Sequence, residues 1–385
     1  MRLWWENRGD ILIMLETNFM GLKLKNPVII SAGPWNGNGK KLRNNLRAGA
    51  GAVITETIVS DPYSKTGEQL AFNGKGLQNI RFYSRFQLER WKEELKIAKS
   101  DGGIVIASVS GHSPSEITYL AKKLEKYGAD GIEISLSSPL GEGVEIPCSD
   151  SEFVFNVVKD VVKNIKIPVM VKLSQHVNNI SEVSKVAKKA GASAISAINT
   201  IRCILGVDID KGIPLLPTYG GYSGEPIRPI ALASVASIAQ SVDIPVCGIG
   251  GIRNYEHVVE YIMLGASTVQ IGTSLMLNGD SIIKKIVNDL ENWFKEKKIN
   301  SISEICGKAL EKIKPLDELA LDTMICKSDN KECKEGCNLC VEHCLESAID
   351  IVNDNDIKID QEKCIGCGLC IFVCPTNKLK IYDES

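Results

Sequence analysis

From residue 27 to residue 296, short apolar runs rich in Val and Ile alternate with longer amphipathic stretches. Pro27–Ser31, Ala52–Thr55, Gly103–Ser108, Gly131–Ser135, Pro168–Leu173, Ala194–Ala197, Pro245–Ile249 and Thr268–Ile271 read as strands. Gly39–Ala48 and the stretches 114–127, 151–164, 180–190, 228–241, 254–264 and 280–296 carry a helical period. Gly128-Ala129, Gly191-Ala192 and Gly265-Ala266 stop three of these helices where a glycine costs little. Strand–helix alternation over about 250 residues predicts an α/β fold, a (β/α)8 TIM barrel. A doubly wound open sheet would want a glycine-rich phosphate loop after the first strand. Gly33–Gly39 follows that strand, but it contains Pro34 and Trp35 and lacks the GxGxxG spacing.

The pattern divides the chain into a tail (1–19), the barrel (20–296), a helical connector (297–325) and a C-terminal domain (326–385). Cysteine usage sets the last part off: nine of the thirteen cysteines follow residue 325. No apolar run approaches a membrane span. The apolar patch Ile11–Leu15 is too short and too acidic in its surroundings for a secretory signal. The expected location is therefore cytoplasmic, where clustered cysteines bind metal rather than pair as disulfides. Net charge is −2, which gives nucleic-acid binding no electrostatic support. From Cys326 onward seven lysines face twelve acids, so an acidic tail domain follows a mildly basic body.

Cys364-x2-Cys367-x2-Cys370-x3-Cys374-Pro375 is the bacterial ferredoxin run. In that pattern three thiolates hold one cubane and the fourth crosses to the other. Cys337, Cys340 and Cys344 repeat the spacing thirty residues earlier. There the leading cysteine, Cys333, comes one residue early, and Leu345 stands where proline is expected. The pattern assigns Cys333, Cys337, Cys340 and Cys374 to one 4Fe–4S cluster, and Cys364, Cys367, Cys370 and Cys344 to a second. Cys326 is the substitute for Cys333. Structural zinc also takes four thiolates, but it does not call for a duplicated, crossed spacing.

Barrel chemistry sits at the C-terminal ends of the strands. Strand seven delivers Gly250 and Gly251, and strand eight Gly272 and Thr273, each before a helix. Bare backbone N–H groups there form an anion cup. Lys172, on an apolar strand, points a charge into the mouth, where a flavin, a phosphate or Glu133 would balance it.

The segment 218–232 (TYGGYSGEPIRPIAL), Ile198-Asn199-Thr200 and Gly250-Gly251-Ile252 resemble the dihydroorotate dehydrogenase family, and more closely the C-terminal part of dihydropyrimidine dehydrogenases. The likeness spans roughly residues 20–290, and the cysteine tail matches as well. It implies FMN held by Ala32, Gly33, Lys172, Gly224, Gly250, Gly251, Gly272 and Thr273. It implies a pyrimidine held by Asn79, Asn199 and Thr200. The family's Asn-Leu-Ser-Cys-Pro is here Ser135-Leu136-Ser137-Ser138-Pro139, so Ser138 replaces the catalytic cysteine and Ser135 a substrate asparagine. Ser138 is the expected proton-transfer residue, with Cys148 in the same loop as the alternative. Where the family has a lysine beside flavin and substrate, this chain has Glu56, which would oppose a bound anion. Arg81 replaces an acid of the dihydropyrimidine enzyme and is available to an acidic substrate.

Together these features imply an FMN oxidoreductase acting on a CH–CH bond of a dihydropyrimidine-like ring, with electrons passed through two 4Fe–4S clusters. The expected partners are a small-molecule substrate, a redox protein (ferredoxin or a flavin/NAD(P) subunit) and further copies of the chain, with neither nucleic acid nor membrane. Two other readings stand beside it: a redox subunit of a larger complex with a non-pyrimidine substrate, and a non-catalytic iron–sulfur scaffold or sensor.

Overall fold

The structure, a computed structural model, describes residues 14–62, 68–81, 83–137, 149–319, 324–329, 333–352 and 356–383. The chain divides into two compact units, Met1–Lys312 and Ile313–Ser385.

Eight parallel strands close the barrel of the first unit: β1 (Val28–Ile30), β2 (Ala52–Ile54), β3 (Ile104–Val109), β4 (Gly131–Ser135), β5 (Val169–Leu173), β6 (Ala194–Ala197), β7 (Val246–Ile249) and β8 (Thr268–Ile271). Each pairs with its sequence neighbours, and β8 returns to β1 with Val269 opposite Val28. The helices are α1 (Gly39–Arg47), α2 (Trp91–Ala98), α3 (Pro114–Lys126), α4 (Ser151–Asn164), α5 (Ile180–Lys189), α6 (Arg228–Ala239), α7 (Tyr255–Met263), α8 (Thr273–Asn278) and α9 (Ser281–Lys297). Side-chain caps begin several of them. Asn38 accepts from Lys41 N, Ser113 from Glu116 N and Asn254 from His257 N.

Two apolar layers follow from the alternation of strand residues. The larger packs strand residues such as Val53, Val105 and Ile132 against helix residues such as Leu95, Leu120 and Val157. The smaller fills the barrel with Ile29, Ile54, Ile106, Met170 and Cys247. Phe19, Met20 and Leu24 join it from a hairpin of Thr17–Phe19 with Leu22–Leu24. These plug the end of the barrel that carries the strand N-termini, so only the opposite mouth is left for chemistry.

Two insertions cover part of that mouth. Leu70–Phe72 and Leu77–Asn79 follow β2, and Ile201–Cys203 and Gly220–Ser223 follow β6. They form one antiparallel sheet in the order 201–203, 220–223, 77–79, 70–72. The apolar pattern did not single out these strands, nor α2. Each strand is only three or four residues long, too short for a clear period.

In the second unit Met324–Ser328 pairs with Leu379–Asp383, and Ile349–Ile351 pairs with Ile357–Ile359. Short helices Leu339–Glu342 and Leu369–Val373 lie thirty residues apart, matching the cysteine repeat. The sequence boundary at 326 falls inside the first of these strands. Among its described residues, the stretch expected as a helical connector contains three single 3-10 turns, Ile302–Glu304, Leu310–Lys312 and Leu316–Glu318. Ser301, just before the first, and Leu319, just after the last, take extended backbone.

Candidate active site and iron–sulfur centre

A cavity of about 680 Å³ opens at the C-terminal mouth of the barrel. Ala32, Gly33, Glu56, Asn79, Arg81, Ser135, Lys172, Asn199, Thr200, Gly224, Gly250, Gly251, Gly272 and Thr273 all line it. Ser138 and Cys148 lie outside the described residues.

Lys172 enters from β5 and is buried at 6% exposure. Its Nζ stands 3.8 Å from Glu133 Oε1, beyond hydrogen-bond reach. The other oxygen of Glu133 accepts from Ser196 Oγ and Gln270 Nε2, each at 3.0 Å. Glu133 Oε1 and Gln270 Oε1 are buried and have no hydrogen bond among the described residues. An ammonium and an amide oxygen with spare bonding capacity at the base of a cavity fit a polar ring such as a flavin.

At the β7 and β8 ends three glycine segments converge. Gly250 and Gly251 have φ of 137° and 69°, a region that favours glycine. A Cβ on Gly251 would lie 2.9 Å from Gly224 O, and one on Gly250 would lie 2.7 Å from the Ala231 Cβ. Tyr261 donates to Gly250 O at 2.7 Å, and Thr273 Oγ1 donates to Ser223 Oγ at 2.8 Å. These bonds hold the loop in place, and glycine-rich backbone lining a cavity is what an anion cup requires. Gly33 and Gly272, which line the cavity, also make room for a side chain of the protein. A Cβ at either would meet the Trp35 indole, at 2.4 and 2.9 Å, so the room they leave holds that ring. Trp35 Nε1 donates to Ser31 O at 2.9 Å.

Glu56, two residues beyond β2, and Arg81, just beyond the 77–79 strand, form an ion pair on the cavity wall. Arg81 Nε lies 2.7 Å from Glu56 Oε1, and Nη2 donates to Oε2 at 3.0 Å. Burial pushes the Glu56 carboxyl above its ordinary range, against the pull of Arg81 and, more weakly, of Arg85 and Lys41. Arg81 is thus engaged by Glu56 through Nε and Nη2, while its side chain also lines the cavity. Asn79 Oδ1 accepts from Arg81 N at 2.7 Å, so its Nδ2 is the group left for a ligand carbonyl. Asn199 Nδ2 donates to Ser137 O at 2.6 Å and to Ser137 Oγ at 3.0 Å, while Oδ1 accepts from Thr200 N. Asn199 therefore anchors the residue that precedes Ser138. Trp35 and Gln270 also line the cavity and were not singled out from the sequence. A polar residue on the apolar run of β8 was the available sign for Gln270.

The second unit has a small core in which Cys326, Cys340 and Cys370 outnumber Ile349 and Leu379. Burial pushes the Cys340 thiol up, and Cys333 and Cys374 add to this. Burial also raises Cys370, with Cys367 and Cys364 adding to it while the contact with Cys326 opposes. At Cys374 burial pulls upward, but hydrogen bonds from Thr376 and the Lys378 N–H prevail and hold the thiol below its usual value. Ala348 N donates to Cys344 Sγ at 3.2 Å and Lys378 N to Cys374 Sγ at 3.3 Å, the same four-residue step in both repeats. Neighbouring thiols whose sulfurs receive backbone N–H groups suit an iron–sulfur cubane.

Comparison with known proteins agrees with this architecture. Residues 14–294 match the family described as dihydroorotate dehydrogenase, and residues 357–377 match the 4Fe-4S binding domain. A Pyrococcus abyssi protein named dihydroorotate dehydrogenase B (NAD(+)), catalytic subunit, is 39% identical over 308 residues, covering 77% of this chain and 100% of its own. A Thermoplasma volcanium protein of the same name is 35% identical over 302 residues, covering 77% and 99%. The crystal structure of the Eimeria tenella enzyme DHODH in complex with ferulenol shares the fold, with a TM-score of 0.66 at 18% identity, covering 77% of this chain and 88% of that one. The chain belongs to the dihydroorotate dehydrogenase family and carries a ferredoxin-type 4Fe–4S domain at its C-terminus. It is an oxidoreductase, and the family implies FMN. Among the described residues no helix is long and apolar enough to cross a membrane.

Proposed function

We propose that this protein adds or removes two hydrogens across a ring C–C bond of an uncharged dihydropyrimidine, using FMN in the barrel, and that two 4Fe–4S clusters carry the electrons between flavin and a partner subunit. The observation that carries the reading is the single cavity onto which the glycine cup, Lys172, Asn79 and the Glu56–Arg81 pair all open. Bound there, FMN would exchange hydride with the ring and release electrons singly.

The chain's own groups have separable tasks. The N–H groups at Gly250 and Gly251 hold the phosphate. Lys172 would offset negative charge on a flavin ring held there. Asn79 Nδ2 donates to a ring carbonyl. Ser138 takes or gives the proton at the neighbouring carbon, with Cys148 as the alternative, and Asn199 fixes Ser137, the residue before Ser138.

The relatives' names point to dihydroorotate, which bears a carboxylate. Glu56 argues for the uncharged ring in this chain. Arg81 and Glu56 neutralise each other, so this pair offers no uncompensated positive charge to the carboxylate of dihydroorotate. The names also describe a catalytic subunit and NAD(+). This chain carries no GxGxxG fingerprint, so nicotinamide chemistry belongs to the partner.

Anaerobic stopped-flow mixing of the flavin-loaded protein with dihydrouracil and with dihydroorotate tests the reading. The uncharged ring is expected to bleach the flavin at least ~100-fold more efficiently. Faster bleaching by dihydroorotate overturns the charge argument, and bleaching by neither overturns the dihydropyrimidine reading.

A further inference from the structure

The sequence offers Cys326 as a substitute ligand for Cys333. The structure places it elsewhere. Cys326 lies on the strand Met324–Ser328, opposite Ile381, and is 1% exposed. Its Sγ is 3.4 Å from Cys370 Sγ, and its backbone N donates to Cys364 Sγ at 3.5 Å. Cys364 and Cys370 belong to the regular ferredoxin run, inside the segment that matches the 4Fe-4S binding domain. Cys326 therefore sits against the cluster of the second repeat, not that of Cys333.

That cluster has its own thiolates in Cys364, Cys367 and Cys370, with Cys344 as the crossing ligand. A ligating thiolate carries no proton. In the contact between Cys326 and Cys370 the only S–H available is that of Cys326, and Cys370 is the acceptor. We propose that Cys326 is a positioning residue of the second-repeat cluster: its thiol donates to the Cys370 sulfur and its N–H to the Cys364 sulfur, and these bonds raise the potential of this cluster. The physical basis is charge. Reduction adds an electron to the cubane, and donors aimed at its sulfurs stabilise the added negative charge.

The other repeat is built differently at the matching place. Cys326 precedes Cys333 by seven residues, and the residue seven before Cys364 is Ile357. Ile357 is a half-buried apolar side chain with no donor. One cluster therefore gains a thiol donor that its counterpart lacks. The two potentials separate, and the electron rests preferentially on the cluster beside Cys326.

The test uses the full chain, purified anaerobically with its clusters, as wild type, Cys326→Val and Cys326→Ser. Iron and acid-labile sulfide are counted, and the clusters are titrated under EPR. All three proteins are expected to hold the same iron. In Cys326→Val one midpoint moves to a more negative potential while the other stays. Cys326→Ser keeps a donor and restores most of the shift. Loss of one cluster's iron in either variant makes Cys326 a ligand and overturns the proposal. Unmoved midpoints at full iron in both variants overturn it as well. If Cys326→Val does not fold, Cys326→Ser decides: full iron with a small shift of one midpoint only supports the proposal, and any other result contradicts it. Iron content of the wild type separately tests the two-cluster reading, so the two can fail independently.

Discussion

The Arg81 guanidinium contacts both oxygens of the Glu56 carboxylate, at 2.7 and 3.0 Å, across the wall of the barrel cavity. The family resemblance leads one to expect a lysine at position 56 and an acid at position 81. Here both signs are reversed together, and the structure shows the two residues as partners. Removing one partner should be costly, because it strands a buried charge. Arg81→Ala is expected to destabilise the protein by about 3 kcal/mol, the low end of the range for buried pairs because Arg81 keeps some solvent contact. Chemical denaturation measures this, and a loss under ~0.5 kcal/mol would mean that the pair carries no structural load.

The same pair gives a pH dependence of definite sign. Burial raises the folded-state pKa of Glu56 above its unfolded value. The stability tied to its protonation is fully present below the ordinary glutamate value, about 4.3, and is lost as pH rises through the raised value. Glu56→Gln removes that loss. Relative to wild type, the stability of the variant should therefore climb with pH from about 4.3 upward until Glu56 is fully ionised in the wild-type protein. Denaturation curves collected over this range check it, and a difference that stays flat with pH contradicts the assignment.

How far the site could be read from sequence differs from residue to residue. The barrel and its catalytic end were legible because Val- and Ile-rich runs recur between amphipathic helices, and because Gly250, Gly251 and Gly272 directly follow strands. Lys172 and its neighbour Glu133 were legible because both interrupt apolar strands. The Glu56–Arg81 contact was not. It depends on the 77–79 strand folding back over the mouth and pairing with 220–223, a long-range arrangement that three-residue strands do not announce. Trp35 was hidden for a related reason. The glycines at 33 and 272 read as space for a ligand, and only their convergence shows that an indole also packs against them. The place of Cys326 also follows from a pairing between distant segments, 324–328 with 379–383.

Gly251→Ala tests the anion cup. Its φ of 69° strains any side chain, and the new Cβ would press on Gly224 O and the Arg228 Cβ at 2.9 and 2.8 Å. Flavin affinity is expected to fall at least ~10-fold while the barrel remains folded. The ratio of flavin to protein absorbance after gel filtration reports it. Undiminished flavin in the variant would place the phosphate elsewhere.

Lys172→Met keeps the length of the side chain and removes its charge. Without the ammonium, negative charge on a flavin ring bound in the cavity would lose a buried cation of its lining. Reduction of bound flavin by an uncharged dihydropyrimidine should slow by ~100-fold or more, with flavin still retained by the cup. Rapid-mixing absorbance separates the two effects. An unchanged rate would leave Lys172 as a partner of Glu133 alone.

Under the proposed function, electrons leave a dihydropyrimidine through the barrel flavin and arrive on the C-terminal clusters. The most direct measurement is an anaerobic single turnover of the full chain with dihydrouracil, followed by flavin absorbance and, in samples frozen along the time course, by EPR. The flavin is expected to bleach first, and a reduced 4Fe–4S signal then to grow as flavin absorbance partly returns. Flavin that bleaches and stays bleached, with clusters still oxidised, would contradict the proposed electron route.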